Sequence, residues 1–239
     1  MIPKIIHYCW FGRGQMPELA LKCIESWKKY LPDYELRLWN EENFDIDSVP
    51  YVKEAYETRK YAFVTDYVRL WALEREGGVY MDVDFEAYKS FDDLMAQYAA
   101  FAGYEGSKKN PVMMGVLAAA PHHQWIQGMM ATYADRRFIN EDGSLDMTPN
   151  TGYFYEWMTK QGFVADGVEK DWNGVHILPV ECFCPGLTTG ENVRCERTYC
   201  EHKGLHSWSG NGGWKAMIMQ YMPQKLKTKL IKLKRKIFK

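Results

Sequence analysis

The chain has 239 residues, of which 46% are hydrophobic and 15% aromatic, enough for one sizeable core in a large domain with at most a small appendage. Its formal net charge of −1 excludes a chain-wide basic field for nucleic acid, and no apolar run reaches the ~18 residues of a membrane span. Residues 5–11 are apolar but contain His7 and lack the charged flank and cleavage site of a secretory signal. The expected compartment is therefore the cytosol, where the six cysteines remain free thiols.

Residues 3–8, rich in Ile, read as a first strand, and residues 10–14 break into a loop. Pro17 opens a helix whose apolar stripe is Leu19, Cys23, Ile24, Trp27 and Leu31, and Pro32-Asp33 ends it. Residues 34–39 alternate as a second strand. The order strand, helix, strand predicts a parallel α/β start. Ser48-Val49-Pro50 reads as a helix entry capped by Ser48. Residues 61–76 are apolar almost all round, which predicts a buried helix, and Gly77-Gly78 stops it. Residues 79–81 form a buried strand that runs into Asp82-Val83-Asp84. Further on the pattern gives a strand at 112–119, a helix at 124–134 and a loop at Asn150-Thr151-Gly152. A short helix at 153–160, a strand at 175–178 and a long loop over 179–214 complete it. In that loop Cys182, Cys184, Cys195 and Cys200 lack the paired spacing of a zinc site and read as small, soft, partly buried residues.

Asp82 and Asp84 carry the strongest chemical signal. Two apart on a predicted strand end, they project to one side while Val83 packs the other way. Carboxylates that close repel one another unless a cation or hydrogen bonds compensate. A divalent ion shared with a diphosphate meets that need, since Mg²⁺ and Mn²⁺ favour hard oxygen ligands. Asp66 and Arg69, three apart on the buried helix, share one face. Charges there are costly unless they pair or serve a site, and a purely structural ion pair is the competing reading.

Residues 2–12, 62–69 and 77–84 together resemble the DXD-containing sugar transferases, glycosyltransferase family 32. That family includes bacterial capsule enzymes and Och1-like mannosyltransferases, and it shares its core with the large clostridial glucosylating toxins. The resemblance is strong over residues 1–90 and looser from 110 to 210. It implies an α/β, GT-A type nucleotide-diphospho-sugar transferase fold, a Rossmann-like mixed sheet flanked by helices. It also implies Mn²⁺ or Mg²⁺, a nucleotide-sugar donor and retention of anomeric configuration. Carried over by position, Trp10 stacks on the nucleotide base and Asp66 and Arg69 hold the donor sugar. Asp82 contacts ribose and sugar, directly or through the metal, and Asp84 is the principal metal ligand. His206-Ser207-Trp208 resembles the family's closing loop, with His206 or Ser207 at the metal and Trp208 over the diphosphate; His202 competes for the metal position. Asn150-Thr151-Gly152 resembles the family's Thr-Gly-Pro turn, with Tyr153 in place of the Pro.

The expected boundaries are a catalytic domain over 1–214 and a basic amphipathic helix within 215–239. The latter span holds eight Lys, one Arg and no acid, with Leu226, Leu230, Leu233 and Ile237 on one helical face. Such a helix suits the anionic inner face of a membrane and a lipid-linked oligosaccharide acceptor. Trp10 tilts the donor expectation towards a UDP-hexose, and the family resemblance implies bacterial surface polysaccharide synthesis. Two rival readings are a metal-dependent phosphohydrolase with Asp82 as nucleophile and a non-catalytic membrane-surface adaptor. The first fits poorly because Glu86 stands where such enzymes carry Thr or Val. The second leaves the four charged residues without a role.

Overall fold

The computed structural model describes residues 1–106, 112–185 and 194–204. Met1–Lys203 form one compact unit. The predicted tail helix and residues 206–208 lie outside the described residues.

The sheet begins as the sequence pattern requires. Strand β1 (Ile5–Cys9) leads through α1 (Glu18–Tyr30) to β2 (Glu35–Trp39), which pairs with it in parallel. Helices α2 (Pro50–Glu57) and α3 (Tyr61–Glu76) follow, then β3 (Gly78–Met81), parallel to β1 on its other side. The reversal from α3 into β3 falls on Gly77 and Gly78, with φ of 65° and 115°. A Cβ at Gly77 would lie 2.5 Å from the Pro121 ring, and one at Gly78 would lie 2.8 Å from the Ile5 carbonyl oxygen. Only glycine tolerates both the backbone and the crowding.

The chain continues through β4 (Phe85–Ala87), α4 (Asp92–Gln97), β5 (Ala100–Tyr104), β6 (Val112–Ala119) and α5 (Gln124–Ala131). Helix α6 (Asn150–Lys160) and strands β7 (Lys170–Trp172), β8 (Val175–Leu178) and β9 (Cys200–His202) complete it. Seven strands form one sheet in the order β2-β1-β3-β6-β5-β8-β7, with β6 and β7 antiparallel to their neighbours. Strands β4 and β9 form a separate two-stranded ribbon.

Side-chain alternation divides the core into two layers. Tyr80, Ala102, Leu117 and Ile177 face α2, α3, α5 and α6, while Ile6, Val79, Phe101 and Val116 face α1 and α4. Buried on both faces, these strands read as continuous apolar runs. This is a mixed α/β sheet flanked by helices, as expected from the sequence.

Several local expectations change. Ser48 does not cap α2: Val49 holds that position, Pro50 is the first helical residue, and the Ser48 hydroxyl donates to the Asp45 carbonyl. Helix α5 stops at Ala131, and residues 132–134 tighten into i→i+3 bonds. Asn150-Thr151-Gly152 is the first turn of α6 rather than a loop, because Pro149 before it already holds a helix-entry φ of −61°. The expected loop from 179 contains β9, too short at three residues to leave a periodic signal.

Candidate functional site

Strands β1 and β3 run side by side in the same direction, with His7 opposite Tyr80, so the loop at Trp10 and the turn after Met81 leave the sheet at the same edge. Open α/β sheets bind ligands beyond such carboxyl ends. Helix α3 runs back against β3, which brings its first turns, with Asp66 and Arg69, to that edge.

Arg69 is the centre of the cluster. Its side chain is 6% exposed, that of Asp66 13% and that of Asp82 33%. Nη2 donates to Asp66 Oδ1 at 2.9 Å and Nη1 approaches Asp82 Oδ2 at 3.4 Å. Nη1 also donates to the Met114 carbonyl at 2.5 Å, and Nε to the Thr65 carbonyl at 3.1 Å. The guanidinium carbon lies 4.6 Å from the centre of the Tyr80 ring, and the Tyr80 hydroxyl donates to Asp82 Oδ1 at 2.6 Å. Both lone-pair faces of Asp82 are thereby oriented. The Met114 carbonyl is available because β6 is irregular there. Val112 and Met114 share one layer with Leu117 and Ala119, while Met113 shares the other with Val116 and Ala118, so the alternation slips by one at Gly115.

Asp82-Val83-Asp84 is not a strand end. The ladder stops when the Asp82 N–H donates to the Gly115 carbonyl, and the Phe85 N–H then donates back to the Asp82 carbonyl at 3.1 Å. The acidic pair therefore sits in a tight turn between β3 and β4, and strand alternation does not orient it. A Cβ at Gly115 would stand 3.0 Å from Asp82 Oδ2 and 2.6 Å from the Phe85 ring, so the bare glycine leaves room for the carboxylate.

Asp84 is held from the other end of the chain. Its carbonyl accepts the Lys203 N–H at 2.8 Å, and His202 Nε2 lies 3.1 Å from its Oδ2. The His202 ring stacks on Phe85 at 4.8 Å. Burial alone would lower the His202 pKa, but the neighbouring Asp84 carboxylate raises it. Burial pushes the Asp66 carboxyl up to about 6, against the opposing pull of Arg69. It also raises Asp82, which Arg69 opposes and the charge of Asp84 reinforces. Glu105, just past β5, is raised by burial and feels both His202 and Asp82.

This donor set suits a divalent cation. Among the described residues, Asp66 and Asp82 pair with Arg69 and Asp84 pairs with His202. Among the described residues no group of three or more His, Cys, Asp or Glu side chains can hold a metal alone. Two carboxylates are nevertheless enough for an ion that completes its shell with phosphate oxygens and water. Asp82 and Asp84 are the residues that would hold it.

Trp10 is partly buried, and its indole N–H donates to the Gly14 carbonyl at 2.7 Å, closing its own loop. Gly12, at φ 95°, lies against the Tyr61 ring, and its N–H donates to Glu41 Oε1 at 2.6 Å. The structure thus brings Trp10, Asp66, Arg69, Asp82 and Asp84 to one edge, with His202. His206, Ser207 and Trp208 lie outside the described residues. Cys182, Cys184 and Cys200 are buried free thiols, pushed up by burial.

Sequence reasoning missed Tyr80, Met114, Gly115 and Glu105. The first was read only as a buried strand residue. The carbonyl and the glycine act through backbone geometry, which side-chain type does not announce.

Residues 17–101 match the family model described as the glycosyltransferase sugar-binding region containing the DXD motif. The chain is similar to an uncharacterized glycosyltransferase of Acanthamoeba polyphaga mimivirus, 26% identical over 221 residues, covering 87% of this chain and 84% of that protein. It is also similar to inositol phosphoceramide mannosyltransferase 3 of Schizosaccharomyces pombe, 33% identical over 98 residues. That match covers 39% of this chain and only 27% of the yeast protein. Among solved structures, PaToxG glycosyltransferase superposes with a TM-score of 0.47 at 16% identity, covering 67% of this chain and 69% of that one. The matched span runs from the start of α1 into β5 and contains Asp66, Arg69, Asp82 and Asp84.

Proposed function

We propose that this chain is a retaining, metal-dependent glycosyltransferase that moves a hexose from a nucleotide-sugar donor to a glycan acceptor. The observation that carries the reading is the joint grip of Arg69 on Asp66 and Asp82, one turn from Asp84, within the matched sugar-binding region.

Arg69 spends its hydrogen bonds on the protein and acts as a positioning residue, fixing two carboxylates in a partly dry site. Asp66 accepts from donor-sugar hydroxyls, and the cluster around it limits the freedom the sugar retains. Asp82 and Asp84 would hold a divalent cation, Mn²⁺ or Mg²⁺, which when bound would supply Lewis-acid neutralisation of charge on the leaving diphosphate. The acceptor hydroxyl attacks the anomeric carbon on the face the diphosphate leaves, and its proton passes to the departing phosphate oxygen. Trp10 stacks on the base, and the family resemblance assigns Trp208 to the diphosphate and His206 or Ser207 to the cation.

A UDP-hexose is the favoured donor on the strength of Trp10, and bacterial surface polysaccharide the favoured acceptor class. The yeast relatives named as mannosyltransferases make GDP-mannose the first alternative. The basic tail suits attachment to the cytosolic face of a membrane and a lipid-linked acceptor. A phosphohydrolase with Asp82 as nucleophile is disfavoured, because Glu86 stands where such enzymes carry Thr or Val.

The decisive experiment screens UDP-glucose, UDP-galactose and GDP-mannose for binding and slow hydrolysis, with and without Mn²⁺. One donor should be hydrolysed only with the cation, and Asp84→Asn should abolish the dependence. Hydrolysis of none, or equal hydrolysis by the variant, would overturn the reading.

A further inference from the structure

A cavity of about 370 Å³ opens where α5, α6 and the β7–β8 hairpin meet. Its lining includes Trp125, Trp157 and Trp172 together with Gln124, Gln161 and Asn173, and no lining residue is charged. The volume falls within the ~300–1,000 Å³ of small-molecule sites. It stands well away from the acidic turn. Strand β6 ends opposite Gly78, the first residue of β3, and α5 starts soon afterwards. Trp172 pairs with Val175, the first residue of β8, which runs in the same direction as β5 and so as β3. The cavity therefore lies at the end of the sheet where β3 begins, opposite the edge where Asp82 and Asp84 emerge.

The walls are deliberately shaped. Gly128 lets the Trp157 ring come close: a Cβ there would stand 2.4 Å from the indole carbon Cζ2. Trp157 and Trp172 meet edge to face, centroids 6.4 Å apart and planes at 89°, so their faces point in different directions. Asn173, also in the lining, holds a left-handed φ of 47° in the hairpin turn before Gly174. The Trp125 indole N–H is buried and has no hydrogen-bond partner among the described residues.

We infer that this cavity is a second carbohydrate site, a pocket for one neutral pyranose unit of a glycan chain, separate from the transfer site. Indole faces suit the C–H surface of a sugar ring. Side-chain amides carry both donors and acceptors, as ring hydroxyls do. An uncharged lining favours neither phosphate nor uronate, and the three amides distinguish a sugar from a plain hydrocarbon. In a transferase such a pocket would hold a growing glycan at a distance from the end being extended. The binding claim itself stands apart from the transfer reading.

The test is an NMR titration of the full chain, labelled with ¹⁵N at the tryptophan indoles, with the neutral probes mannotriose and maltotriose. Expected are saturable shifts of Trp125, Trp157 and Trp172 with at least one probe. Trp157→Ala should weaken binding about tenfold or more. Gln161→Ala, at an exposed turn position just past α6, should weaken it by roughly threefold to tenfold. Both variants should hydrolyse nucleotide sugar at the wild-type rate. Absence of saturable shifts with both probes would overturn the inference, as would undiminished affinity in Gln161→Ala. Either result would leave the donor-hydrolysis screen unaffected.

Discussion

The Arg69 guanidinium donates to the Met114 carbonyl, 2.5 Å away, and this bond keys helix α3 to strand β6 at the one point where β6 slips its alternation. The cation is thereby tethered to the sheet and cannot swing towards a ligand. Its work is to hold Asp66 and Asp82 in register with each other.

Lysine cannot reproduce that fork. A single ammonium reaches one carboxylate or the carbonyl, without the planar geometry that serves all three. Arg69→Lys is expected to fold and to lose about a hundredfold in donor turnover through misplacement of the carboxylates, measured as hydrolysis of the preferred nucleotide sugar. Arg69→Ala leaves two carboxylates inside the protein without their cation and should cost about 3–5 kcal/mol of stability, read by urea unfolding.

Gly115→Ala puts a methyl group against Asp82 Oδ2 and the Phe85 ring. The overpacking should cost about 1–3 kcal/mol. Because the methyl pushes on the first acidic residue of the turn, cation-dependent donor binding should weaken more than the stability loss alone explains. Calorimetric titration with Mn²⁺ and donor, well below the melting temperature, checks this. Unchanged binding would mean that Asp82 does not need its present position.

His7 should make stability depend on pH. It is wholly buried, its Nδ1 accepts the Trp39 indole N–H at 3.0 Å, and Nε2 lies 2.7 Å from the Gly77 carbonyl. Both contacts suit a neutral ring protonated at Nε2, and burial lowers its pKa below the ordinary 6.5. The unfolded chain binds this proton more readily than the folded one. The stability contribution is therefore full above about 6.5 and is lost as pH falls from there through the lower folded value. Unfolding free energy should drop between pH 7.5 and 5.5, and His7→Gln should flatten that slope.

Glu54 anchors a segment that periodicity and residue type do not single out. Its buried carboxylate accepts the N–H groups of Phe138 and Ile139, at 2.8 and 3.0 Å, and pairs with Arg137. These bonds hold the carboxylate below its usual range despite burial. Glu54→Ala strands two main-chain donors and should cost about 2–5 kcal/mol. Glu54→Gln keeps an acceptor and should cost less, and denaturant unfolding of the pair gives the ranking.

The fold was most legible where many residues repeat one signal. Tyr61–Glu76 was bounded correctly because sixteen residues of nearly all-round apolarity end on two glycines. Val112–Ala119 and Val175–Leu178 stood out as runs buried on both faces. Of the site, the acidic and basic residues were legible, since charges inside an apolar frame need a purpose. Their arrangement was not. The turn at 82–84 depends on β4 pairing with β9, three residues against three, and on a carbonyl freed by an irregular strand. Those are long-range and main-chain features, to which periodicity and residue type are blind.

The β4–β9 ribbon also has a consequence for biogenesis. It braces the acidic turn with residues 118 positions away, as His202 against Asp84 illustrates. A chain still emerging from a ribosome therefore carries helix α3 and the first three sheet strands long before it can tie down Asp84. Contacts of such sequence separation form late. The nascent protein should thus gain its scaffold well ahead of its acidic edge.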